Sequence, residues 1–381
     1  MAQNHEGIQV CEDARMNDSG NGFQNRSSTE TAGRVGGSGV VAAVLAAMLV
    51  MLMTCGCQES AKQPAVKTSK PLTELPKYST SNYMNEAIRL IASGLNDQNS
   101  HVRTKAIEVV IDTRHVGFMP KIQQLLTDRY VPVRFLATLA VGDLGYEPAM
   151  PQIKERLKDP DPNVKIAAAY AMARLGHKEY ERILRLALPT TDQELRANAV
   201  LMLGKNGNRE DISLIRGVLV DAQSSDKVTL QCIQSLAMLG DESIYAKLWT
   251  RLISKYGDDR LIGVQCMGAL GTPRARDALI LQLEDEDNFL EVKLASAEQL
   301  GKLGSPLGEP EVLAVFEKNM TAMMGDEEAR RVKVLAASAI GEIGTDNLTK
   351  YLPGLLKDRS VFVRLAAAKA VFRAAMKAPA S

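Results

Sequence analysis

Of 381 residues, 45% are hydrophobic and 24% charged, a balance that supports a folded core and excludes a chain disordered throughout. Aromatics make up only 4%, with Trp249 the sole tryptophan, so packing falls to Ala, Leu and Val, which favours helices over a β-sandwich. Lys and Arg number 46 against 45 Asp and Glu; a net charge of +1 supplies no global field for a polyanion, and nucleic-acid binding is not expected.

Residues 1–38 are rich in Gly, Ser, Asn and Thr and cannot bury a core, so they read as a disordered leader. Val40 to Met53 is an uninterrupted apolar run of 14 residues, short of the ~20 that span a bilayer but suited to the h-region of a signal peptide. It ends in Thr54-Cys55-Gly56-Cys57-Gln58, which resembles a bacterial lipoprotein signal, where a small residue precedes the cysteine that is lipidated. The resemblance implies lipidation at Cys57 and a lipid anchor in the bacterial cell envelope. Thr54 stands where that motif usually has Leu, and Cys55 is a competing site; a single-pass membrane anchor is the other reading. Residues 1–57 are thus leader plus signal peptide. Residues 58–82, with Pro64, Pro71 and Pro76, read as an extended tether.

From residue 83 to 377 one phrase recurs. Counting from its Val position gives Val102, Val133, Val164, Leu195, Val228, Asp259, Val292, Val332 and Val363, with spacings of 31, 31, 31, 33, 31, 33, 40 and 31. Position +4 is small in all nine units, as close helix approach requires, and position +12 is Gly in seven, as a helix-ending left-handed turn requires. An amphipathic first helix precedes each second helix, for example Ile122 to Leu126 or Ile153 to Leu157. The second helix is apolar nearly all round, so it must be buried nearly all round. Stacked units achieve this, and the expected fold is an all-α solenoid of about nine two-helix repeats, some 70 to 90 Å long at a helix spacing of about 8–10 Å. The longer interval before Val332 predicts a lengthened first helix from Glu309 to Met324, ending in Met320, Met323 and Met324.

An acid at −5 and a base at +1 recur as D-x-x-x-x-V-R, which resembles HEAT repeats of the short phycobilisome-lyase-like class. That resemblance implies a right-handed superhelix and says little about function. The acids and bases, among them Asp128, Arg134, Asp159, Lys165, Asp358 and Arg364, read as a structural ladder in which each turn acid meets a basic residue nearby, exposed pairs worth about 0–1 kcal/mol each. Truncating Arg134 is accordingly expected to cost little.

No catalytic constellation or metal-ligand spacing is found, and no cofactor or small-molecule substrate is implied. The His-Glu pairs that carry iron in the HEAT enzyme deoxyhypusine hydroxylase are absent from the repeats. Cys232 and Cys266 fall in small-residue columns and read as buried free thiols, a disulfide between them being the alternative. Position +6 of the second helix is expected to line a concave wall. Leu139, Tyr170 and Leu201 make an apolar patch there, bordered by Arg174 and Lys205, that suits a protein or peptide partner. The functional expectation is a non-catalytic, membrane-tethered binding scaffold. The alternatives are an accessory subunit of an enzyme or bilin-lyase-like complex and an inactive relative of a HEAT hydroxylase.

Overall fold

The computed structural model describes residues 81–377, all within one compact unit. Cys57, the apolar run before it and nearly all of the tether lie outside the described residues. Within them the chain is helical, without a strand, and the helices alternate as outer and inner members of nine repeats. The inner helices are Ser100–Thr113, Val131–Leu144, Pro162–Arg174, Gln193–Asn206, Asp226–Met238, Gly257–Leu270, Leu290–Lys302, Asp326–Ile343 and Val361–Lys377. Several outer helices are short, such as Met119–Leu125, Met150–Arg156 and Glu181–Leu186. The first two of these carry proline in the first turn, where no backbone N–H is needed.

All seven glycines at position +12 hold positive φ, from 62° at Gly145 to 102° at Gly176. The first repeat has Arg114 at the same place, forced to φ 52°. A side chain in that region costs about 1–2 kcal/mol, partly offset in glycine by the entropy of the unfolded chain. Arg114 is exposed, so Arg114→Gly is expected to raise stability by about 0.5–1 kcal/mol, measurable as a higher urea midpoint.

The eighth repeat departs from expectation. Its outer helix stops at Glu317, Asn319 takes φ 48°, and the residues up to Gly325 form turns. The inserted length goes instead into an 18-residue inner helix that starts at Asp326, where Asp326, Glu327 and Glu328 complement the helix dipole.

The stack is not an open rod. Each inner helix packs on the next, and the last, Val361–Lys377, packs on both helices of the first repeat, so the nine inner helices form a closed ring. At this seam the His115 ring lies 5.1 Å from the Phe372 ring, and Leu365 covers Gly94. The elongated shape expected from the repeat alone is therefore replaced by a circle.

Glycines at position +9 explain the curvature. A Cβ on Gly142 would fall 2.8 Å from Ala171 Cα, one on Gly204 2.6 Å from Ser235 Cβ, and one on Gly341 2.6 Å from Ala370 Cα. Inner helices approach more closely there than any side chain allows, and a stack bends toward the side on which its units are closest.

Candidate binding surface

Closure decides what the inner helices present. Every residue at position +6, from Glu108 through Tyr170 and Gln234 to Lys369, is under a tenth exposed. The centre of the ring is filled by side chains, so the concave groove expected at Leu139, Tyr170 and Leu201 is not open. Leu139 and Leu201 are core residues, and Tyr170 is buried with its hydroxyl donating to Asp143 Oδ1 at 2.5 Å. Lys205, expected on the groove border, is also buried, its Nζ 2.9 Å from Asp143 Oδ2, which ties the second, third and fourth repeats together. Arg174 alone of the five remains exposed.

A buried ionic cluster occupies the seam side of the ring. Lys369 Nζ lies 2.8 Å from Asp112 Oδ2 and 3.9 Å from Glu298 Oε1, linking the ninth repeat to the first and seventh. Glu342 is fully buried and takes a two-pronged bond from Arg373 at 2.8 Å on each oxygen. Burial works against the charge on Lys369, but Asp112, Glu298 and Glu342 outweigh it and hold its proton well above the ordinary lysine range. Glu108, beside Lys105, is pushed up by its burial. Charged residues stand at +6 and +10 in the sequence; Arg373 and Glu342 pair between adjacent repeats, but Lys369 finds its partners in the first and seventh repeats, which no periodicity predicts.

The ladder runs between repeats. Five of the bases reach forward 25 residues to the turn acid of the next repeat: Arg103 to Asp128 at 2.9 Å, Arg134 to Asp159 at 2.9 Å, Arg196 to Asp221 at 2.5 Å, Arg260 to Asp285 at 3.5 Å and Lys333 to Asp358 at 2.9 Å. Arg134 and Arg364 do meet Asp128 and Asp358, but through the backbone carbonyls of those residues, at 3.0 and 2.8 Å. Lys165 is exposed and joins no rung among the described residues. Each acid also accepts the backbone N–H two residues on, as Asp128 does from Tyr130, which sets the turn between the helices. Two-residue insertions move the acid from −5 to −7 in the fifth and seventh repeats, which hid Asp221 and Asp285. The rungs are also less exposed than expected: the Arg134 side chain is 11% exposed and that of Asp159 not at all.

Cys232 and Cys266 are free and buried, and burial pushes both thiols up to about 12. Among the described residues no three His, Cys, Asp or Glu side chains are placed to hold a metal, and no helix is long and apolar enough to cross a membrane.

The rungs join neighbouring turns, so the turns share one edge of the ring. On that edge and the adjoining ends of the outer helices, large apolar side chains are exposed in succession from the fourth to the eighth repeat: Leu186, Val220, Ile253 with Tyr256, Phe289, and Met320 with Met323. Val220 is 79% exposed, Tyr256 61% and Met323 97%. The methionines stand out in the sequence as part of an insert, whereas Tyr256 and Phe289 occupy the N-cap position, whose residue type changes from repeat to repeat.

A family model described as HEAT repeats matches residues 118–188, and the same columns continue to either side. Residues 118–188 are built of HEAT repeats. Among solved structures the chain is similar to the complex of CpcE and CpcF of phycocyanin lyase from Nostoc sp. PCC7120, with 19% identity, 74% of this chain and 100% of that one covered, and a TM-score of 0.40. It is also similar to human deoxyhypusine hydroxylase in complex with glycerol, at 18% identity, with 69% and 98% covered and a TM-score of 0.32. No curated protein matches.

Proposed function

We propose that this HEAT-repeat protein is a non-catalytic protein-binding scaffold held at a bacterial membrane by a lipid on Cys57. The observation that carries the binding role is that each repeat from the fourth to the eighth leaves a large apolar side chain exposed at the turn edge of a ring whose interior is occupied by its own packing. Apolar surface of that extent, rimmed by charge, marks interaction sites on soluble bodies. The anchor rests on the Cys57 motif and the proline-bearing segment after it, which would keep the ring clear of the bilayer.

Labelled fatty acid supplied to cells is expected to enter the parent protein and not the Cys57→Ala variant. In-cell crosslinking from Met323 is expected to give a discrete adduct with another protein. An unlabelled parent sinks the anchor; absence of any protein adduct from this or other surface positions sinks the scaffold.

A further inference from the structure

The turn edge also carries information about what it takes. Inner helices start at an N-cap, where Ser, Thr, Asp or Asn accepts a backbone N–H. Asn99, Asp161, Asp192 and Ser225 do so here. Tyr256 and Phe289 occupy the equivalent places in the sixth and seventh repeats, make no capping bond and stand exposed. The two positions are neighbours in the stack: a Cβ on Gly257, the residue after Tyr256, would fall 3.4 Å from the Phe289 ring. The fold would be better served by a polar cap at both positions, and aromatic rings there supply rigid contact area instead.

Acids outnumber bases around them. Asp258, Glu284, Glu286 and Asp287 are exposed in the adjoining sequence, against Lys255, over the Tyr256 ring at 4.9 Å, and Arg260, over the Phe289 ring at 5.7 Å. Carboxylates in this number disfavour an anionic lipid surface and favour a cationic partner.

We propose that the turn edge of the fifth to eighth repeats docks a basic amphipathic segment of a partner protein. Apolar side chains of that segment cover Val220, Ile253, Tyr256, Phe289 and Met323, and its Lys or Arg residues meet the carboxylates. The proposal rests on the scaffold reading and gives it a site and a partner chemistry.

The test uses the full chain in detergent with three probes: an 18-residue helical peptide of Leu and Lys, its Leu and Glu counterpart, and short-chain dihexanoyl phosphatidylglycerol added as monomers. The Leu-Lys peptide is expected to bind, the other two not. Combined Tyr256→Ser and Phe289→Ser substitution is expected to weaken binding at least tenfold, and Glu284→Lys with Glu286→Lys likewise, whereas Tyr130→Ser, an aromatic cap in the second repeat, leaves it unchanged. Because serine is a good N-cap, the first variant must not lose thermal stability, so its loss of binding cannot be loss of fold. Binding untouched by the Tyr256 and Phe289 changes, equal binding of the Leu-Glu peptide, or preference for the phosphatidylglycerol headgroup overturns the proposal. A partner crosslinked in cells from another surface would keep the scaffold and discard this site.

Discussion

Lys369→Met is expected to destabilise the ring by about 3–5 kcal/mol, the usual cost of breaking a buried ion pair from one side. Methionine keeps most of the apolar stem but takes a cation away from Asp112 and Glu298, both of which sit almost fully out of water. Solvent cannot replace that cation; Glu298 keeps Lys302 at 3.1 Å, but the cluster as a whole loses a positive charge that burial makes costly to do without. Because the three residues belong to the ninth, first and seventh repeats, the damage should concentrate at the seam. Hydrogen exchange is expected to quicken first in Ser81–Leu95 and Val361–Lys377, together with a lower urea midpoint. Adding Asp112→Asn should restore part of the loss by removing the stranded charge. Unchanged exchange at both chain ends would mean that the seam does not depend on this pair.

Arg103→Ala is expected to cost about 3 kcal/mol, well beyond the 0–1 kcal/mol of an exposed pair. Its guanidinium bonds both oxygens of Asp128 at 2.9 Å and the carbonyls of Asp97 and Gln98 at 2.8 and 2.9 Å, and both side chains are about nine-tenths buried. Removal therefore strands a carboxylate and two carbonyl groups together. Arg134→Ala should cost less, because Arg156 remains 3.0 Å from Asp159, but still more than the sequence led one to expect.

The same rung sets a pH dependence. Burial pushes the Asp159 carboxyl up, yet hydrogen bonds from Arg134 and the Asp161 amide, with the charges of Arg134 and Arg156, outweigh it and hold the group below the usual carboxylate range. A folded-state value below the unfolded one gives stability that is complete above the unfolded value near 4 and is lost as pH falls through the folded value. Asp358 is lowered in the same sense by Lys333 and the Ser360 amide against its burial. The parent's stability is thus expected to fall steeply in acid, and the gap between parent and Arg134→Ala to narrow there; urea titrations at neutral and acid pH measure both.

The repeat and its punctuation were legible because they are local. A glycine at +12 acts on its own backbone, and a small residue at +4 answers to the first helix of the same unit. The site was less legible. Tyr170 looked like an anchor on a wall because one helix cannot reveal whether its free stripe faces solvent or another helix across a ring. The glycines at +9 are the nearest sequence signal for the tight curvature, but their effect is a small angle per repeat. Exposed Val220, Ile253 and Phe289 fall at positions whose residue type varies between repeats, so no recurring column marks them as surface.

The order of apolar, small and glycine positions by itself determined that this chain folds as stacked helical pairs, since those demands are met within a unit or between nearest neighbours. Whether the stack ends free or meets itself was decided only in three dimensions. Closure depends on the sum of nine small rotations and on pairs such as Asp112 with Lys369, more than 250 residues apart. That sum turned the expected groove into core and moved the available surface to the edge.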